Sequence, residues 1–131
     1  MVKKNIIKKL RSDFSFLFDN KDVLALLIFG SHVKNEGRDF DICIVAPECK
    51  NKGKLVRNVY RNVDIYKNNY DVWLFEELPI YMRIQVIESH EIIYTREKFE
   101  LYEYFYFFRK LWKDQEQRQK VSKEEILKML P

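Results

Sequence analysis

Apolar positions along the chain fall into patches of two distinct periods, and their order predicts the architecture. Ile6, Ile7, Leu10, Phe14, Leu17 and Phe18 recur at helical spacing, so the first twenty residues read as one amphipathic helix with its lysines outward. Val23 to Phe29 is a continuous apolar run ended by Gly30-Ser31, the pattern of a strand buried on both faces. A second strand over 39–46 stops at Pro47, and Leu55, Val56, Val59, Tyr60 and Val63 mark one stripe of a following helix. Residues 70–75 supply a third strand rich in aromatic and branched side chains. Glu76-Glu77 before Pro79 resembles the first turn of a helix reaching about Ser89, and a short strand over 91–95 comes next.

Residues 99–112 hold eight aromatics, too many for one helix face. Two destinations remain open for the surplus, a clamp between the sheet and a terminal helix or a subunit interface within 97–120. Ser122 with Glu125 forms a capping box before Ile126, Leu127 and Leu130, which predicts a separate short closing helix. The alternation of helices and strands predicts an α/β (α+β) fold, a small mixed β-sheet flanked by helices. A division follows, with residues 1–96 as the sheet domain and 97–131 as a C-terminal helical extension.

Composition narrows the class. The 131 residues are 47% hydrophobic and 34% charged, which describes one packed domain rather than a disordered chain. No apolar run approaches the ~20 residues of a membrane span, and no signal-peptide pattern follows the basic N-terminus. The two cysteines lack zinc-site spacing, and Cys43 reads as a small core residue in a reducing, cytoplasmic setting. The net charge of +4 is too mild to define a nucleic-acid binder. Basic residues do concentrate between Lys50 and Lys67, where few aromatics are interleaved for stacking, so nucleic acid ranks last among partners.

The P-loop, dinucleotide-binding and HExxH signatures are all absent. Neither His32 nor His90 has a catalytic context, which leaves the carboxylates. Asp39 and Asp41 flank Phe40 at a strand entrance, and positions two apart in a strand project to one face. Two adjacent anions call for a cation, and hard oxygen ligands suit Mg²⁺ with a nucleoside triphosphate completing its shell. Gly30 permits close approach of backbone to phosphate, and the Ser31 hydroxyl can donate to it. Asp71 starts the next strand as a third acid.

The runs Leu27-Ile28-Phe29-Gly30-Ser31, Asp39-Phe40-Asp41-Ile42 and Asp71-Val72-Trp73 resemble the DNA polymerase β nucleotidyltransferase superfamily, and within it the minimal nucleotidyltransferase (MNT) proteins. That resemblance covers most of residues 3–95. It implies a palm-like mixed sheet, a triphosphate gripped by the Gly-Ser turn, and two Mg²⁺ ions held by Asp39, Asp41 and Asp71. It also implies transfer of a nucleoside monophosphate, AMP from ATP, to a hydroxyl, with many relatives acting as antitoxins to a HEPN-type toxin. Only His32 to Arg38 separate Gly-Ser from Asp-x-Asp, a shorter turn than the family's usual one, and Lys34-Asn35 stand where Arg-Gly is usual. Lys34 or Arg38 then contacts the phosphates, or the pocket is altered and the chain keeps the fold as a non-catalytic scaffold.

Overall fold

The computed structural model describes residues 4–30 and 39–130, with residues 119–123 described through their backbone alone. Helix α1 (Lys4–Asp13) leads through a 3₁₀ turn (Ser15–Leu17) into β1 (Ala25–Phe29) and β2 (Phe40–Val45). Helices α2 (Lys52–Asn62) and α3 (Ile65–Asn68) connect to β3 (Tyr70–Leu74). A second 3₁₀ turn (Phe75–Glu77) precedes α4 (Ile80–Glu88), β4 (His90–Thr95) and α5 (Lys98–Met129). The four strands form one mixed sheet in the order β3-β2-β1-β4. β1 pairs antiparallel with both β2 and β4, whereas β2 and β3 pair parallel. A parallel pair needs a crossover, and α2 with α3 supplies it.

Both faces of this sheet are covered, which explains the unbroken apolar run of β1, buried at all five positions. Leu26, Ile28, Ile42 and Ile44 face a layer built from Leu10, Phe14, Leu17, Leu55 and Val59. Ala25, Leu27, Phe29, Cys43 and Val45 face the opposite layer, where Phe75, Ile84, Leu101, Phe105 and Phe108 pack. Cys43 is a fully buried free thiol, as its apolar run implies. Burial, and then the Glu76 carboxylate, push that thiol well above its ordinary range. No helix among the described residues is long and apolar enough to cross a membrane.

Three elements differ from the sequence reading, each for a local reason. The first helix ends at Asp13 rather than near residue 20, because Phe14 leaves helical geometry and the Ser15 hydroxyl donates 3.1 Å to the Ser12 carbonyl. Glu76 and Glu77 lie in the 3₁₀ turn instead of opening α4. Leu78, held extended by the following Pro79 (φ −75°, ψ 145°), separates the two. The closing helix does not exist as a separate element: α5 runs unbroken through Ser122, which the backbone places mid-helix. Residues 109–129 contain no Gly or Pro and are rich in Lys, Arg, Glu, Gln and Leu, so nothing breaks the helix before the serine.

The aromatic segment of α5 divides between two environments. Leu101, Phe105 and Phe108 are buried, while Phe99, Tyr106 and Phe107 are 71%, 64% and 61% exposed. The inward side is fastened by Glu76, whose carboxylate accepts from the Ala46 amide at 3.0 Å and from the Tyr104 hydroxyl at 2.9 Å. Arg83 donates to the carbonyls of Leu78 (2.8 Å) and Glu76 (2.6 Å) and lies over the rings of Phe75 and Phe108. One carboxylate thus joins the end of β2 to α5.

Phe75 is fully buried against Tyr104, Phe105 and Phe108, so Phe75→Ala should cost about 3–5 kcal/mol in a denaturant titration. Burial and the partner carboxylates, Asp13 for Tyr70 and Glu76 for Tyr104, raise both phenols well above 10, with Arg83 opposing the shift at Tyr104. In the unfolded chain these phenols ionise near 10 and in the native one they stay protonated, so stability is flat below that pH and falls as pH rises through 10 and beyond. Denaturant midpoints between pH 9 and 11 should show the fall, and Tyr104→Phe should make it shallower.

Candidate functional site

Strand register decides which side chains meet. Phe29 is paired with Asp41 across the β1–β2 ladder, and Asp41 is paired with Asp71 across the parallel β2–β3 ladder. In-register residues of neighbouring strands lie about 4.8 Å apart and point to the same face. Asp41 and Asp71 therefore stand side by side at the end of the sheet where β1 gives out. Their shared face is that of Cys43 and Val45, but at the β3 edge it is open: Asp71 is exposed and Trp73 is 39% exposed.

Gly30 sits directly after β1 with φ +80°, a left-handed conformation that glycine alone adopts without strain. A Cβ built there would overlap the Oδ2 atom of Asp41 and come within 3.3 Å of its Cγ. The space a side chain would need is thus filled by the carboxylate. Gly30 and Asp41 are one unit, and the glycine both turns the chain and leaves room for the acid.

Asp39 is exposed at the bend before β2. It lines a groove of about 400 Å³ with Asp71, Asn69 and Trp73, together with Tyr60 of α2 and Tyr66 of α3. The Phe40 amide donates to the Asn69 carbonyl at 2.8 Å, which closes this end of the ladder. Of the seven residues singled out from sequence, Gly30, Asp39, Asp41 and Asp71 are brought to one end of the sheet, and Ser31, Lys34 and Arg38 lie outside the described residues. Among the described residues no three His, Cys, Asp or Glu side chains are close enough to hold a metal ion by themselves. Two carboxylates are a donor set of the kind Mg²⁺ takes when phosphate and water complete its shell.

Three groove residues escaped the sequence reading: Tyr60, Tyr66 and Trp73. Trp73 had a usable signal, because it lies two positions after Asp71 and so on the same strand face. Tyr60 and Tyr66 had none, since only the crossover brings them to the edge of β3. His90 has its Nδ1 2.7 Å from the Val86 carbonyl in the last turn of α4.

Residues 14–99 match the family described as Polymerase beta, Nucleotidyltransferase. The chain belongs to this family. This nucleotidyltransferase is also 40% identical over 100 residues, 73% of its length, to MJ1547 of Methanocaldococcus jannaschii, which is named as a protein adenylyltransferase and is matched over 75% of its own length. Its fold is similar to that of a chain in the MntA–HepT toxin–antitoxin structure (TM-score 0.63, 12% identity, 95% of this chain and 99% of that one). It is likewise similar to a toxin–antitoxin structure with AMP-PNP (TM-score 0.61, 14% identity, 93% and 95%). A third likeness is to the tri-AMPylated Shewanella oneidensis HEPN toxin in complex with MNT antitoxin (TM-score 0.58, 13% identity, 94% and 93%). The shared architecture is the mixed sheet flanked by helices described above.

The unit formed by Gly30 and Asp41 yields a direct prediction. Gly30→Ala should destabilise the fold by about 1–3 kcal/mol through its φ of +80°. It should also displace the Asp41 carboxylate, so that Mg²⁺ affinity, read by titration calorimetry with a non-hydrolysable ATP analogue present, falls while the circular dichroism spectrum is retained.

Proposed function

We propose that the protein transfers AMP from ATP to a hydroxyl group on a partner protein, as an MNT-type antitoxin acting on a HEPN-type toxin in the cytoplasm. The observation that carries this reading is the in-register pair Asp41 and Asp71 beside Gly30 at an open sheet edge. The family match supports nucleotidyl transfer. The name of the M. jannaschii relative supports a protein acceptor, and the structure with AMP-PNP supports an adenine nucleotide. The AMPylated HEPN toxin bound to an MNT antitoxin supports the kind of partner.

In this reading residues 1–96 carry the chemistry and 97–131 form a helical extension. Asp39, Asp41 and Asp71 would hold two Mg²⁺ ions, which when bound supply the positive charge that offsets the triphosphate and ease ionisation of the acceptor hydroxyl. Gly30 brings the backbone close to the phosphates, and Ser31 with Lys34 or Arg38 donates hydrogen bonds and charge to them. The acceptor oxygen attacks the α-phosphorus in line, the bond to the β-phosphate breaks, and pyrophosphate departs. Asp71, the exposed member of the pair, takes the hydroxyl proton. Because the groove at β3 is open, a side chain presented by another protein has a route to Asp71.

A second reading has one observation in its favour. The outward aromatics of α5 offer a surface for a partner or a second copy of the chain, so the fold would then serve as a non-catalytic scaffold. Incubation with Mg²⁺, ATP labelled at the α-phosphate and the protein encoded next to this chain separates the two. Transfer predicts a labelled neighbour, with Asp41→Asn and Asp71→Asn each lowering the rate at least about 10²-fold without loss of partner binding. Intact binding with no label from any of the four nucleotides would establish the scaffold instead.

A further inference from the structure

A groove larger than the one beside Asp39 and Asp71 begins at the other end of the sheet. It encloses about 830 Å³ between the residues that precede β1, those that follow β2, and α2. β1 and β2 are antiparallel, so the residues that precede β1 and follow β2 lie at the sheet end opposite Gly30 and Asp41, and α2 carries the groove back along the strands as far as Arg61. The transfer chemistry makes no use of it.

Its lining is built from donors. Lys50, Lys54, Arg57 and Arg61 all reach the groove, spaced three or four residues apart so that those on α2 share one face. None of the four forms an ion pair among the described residues, where the salt bridges are Lys9–Asp13 and Arg96–Glu100. Three asparagines add to them, and each has its carbonyl oxygen already occupied. Asn20 Oδ1 accepts from the Asp22 amide (2.9 Å), Asn51 Oδ1 from the Lys54 amide (3.0 Å), and Asn58 Oδ1 from the Asn62 side chain (3.0 Å). Each also has an NH₂ group, a double donor, to offer a ligand. Asp22 and Glu48 also line the groove and temper the charge without cancelling it. The apolar contributors, Cys49 and Leu55, are buried, so no aromatic platform is present for stacking a base.

A ligand matched to this lining accepts hydrogen bonds at many atoms, donates few, and carries negative charge at regular intervals. We propose that the groove is a second, non-catalytic binding site for a run of three or four phosphate groups, as in a single-stranded nucleic-acid backbone or free polyphosphate. Cations at helical spacing fit a periodic anion better than they fit the irregular carboxylates of an acidic peptide. Arg57 and Arg61 present planar forks suited to phosphate oxygens. Recognition goes through charge and donors rather than bases, so binding is indifferent to sequence and sensitive to salt.

Fluorescence anisotropy with a labelled twelve-residue polyuridine RNA and the full-length protein tests this. Binding should weaken with a slope of log affinity against log salt of about −2 to −3. Arg57→Glu with Arg61→Glu should lower affinity at least about tenfold and flatten the slope, with an unchanged thermal midpoint and unchanged Mg²⁺ binding at the Asp41 end. Displacement by inorganic tripolyphosphate at equal phosphate concentration would assign the site to free polyphosphate, and its failure to displace would assign it to the nucleic-acid backbone. Absence of binding at low salt, binding indifferent to the two substitutions, or equal affinity for polyglutamate would overturn the proposal. Because the readout needs no AMP transfer, it stands or falls separately from the catalytic reading.

Discussion

The parallel pairing of β2 with β3 is the constraint on which the rest of the structure depends. It sets Asp41 against Asp71, two carboxylates in adjacent in-register positions. Parallel pairing also obliges the chain to cross over, and that crossover is α2 and α3. The same two helices cover one sheet face, bring Tyr60 and Tyr66 to the rim of the candidate site, and carry the cations of α2 along a second groove. One topological choice thus yields both an acidic sheet end and a basic face of α2.

Much of this was legible in the residue pattern. β1 announced itself because a strand covered on both faces is apolar at every position, and Gly30 marked its end because a left-handed residue there is most easily a glycine. Asp41 and Asp71 stood out as acids at the mouths of apolar strands, although their exact pairing had to come from register, which no single strand reveals. That Gly30 and Asp41 interlock was not legible at all. It depends on where a carboxylate falls in three dimensions, not on spacing along the chain.

The elements misjudged from sequence share a physical origin. Local motifs describe what a segment can do, and neighbours decide whether it does so. Ser122 and Glu125 satisfy the spacing of a capping box, yet with strong helix formers on both sides the favourable course is to continue the helix. Glu76 and Glu77 look like a helix entry, but Pro79 forbids helical geometry at Leu78, and Glu76 turns inward to hold Tyr104 and Ala46. That inward turn docks α5, whose Phe99, Tyr102, Tyr106 and Phe107 face outward because one helix has only one side to bury.

In the proposed function the acid pair would hold a divalent cation, and the open β3 edge would admit a second reactant beside it. The most direct test locates the cation. Crystals grown with Mn²⁺ in place of Mg²⁺ and a non-hydrolysable ATP analogue should show an anomalous scattering peak in contact with the carboxylates of Asp41 and Asp71, with the triphosphate running past Gly30. A peak elsewhere, or an analogue bound with no metal at these two carboxylates, would contradict the account.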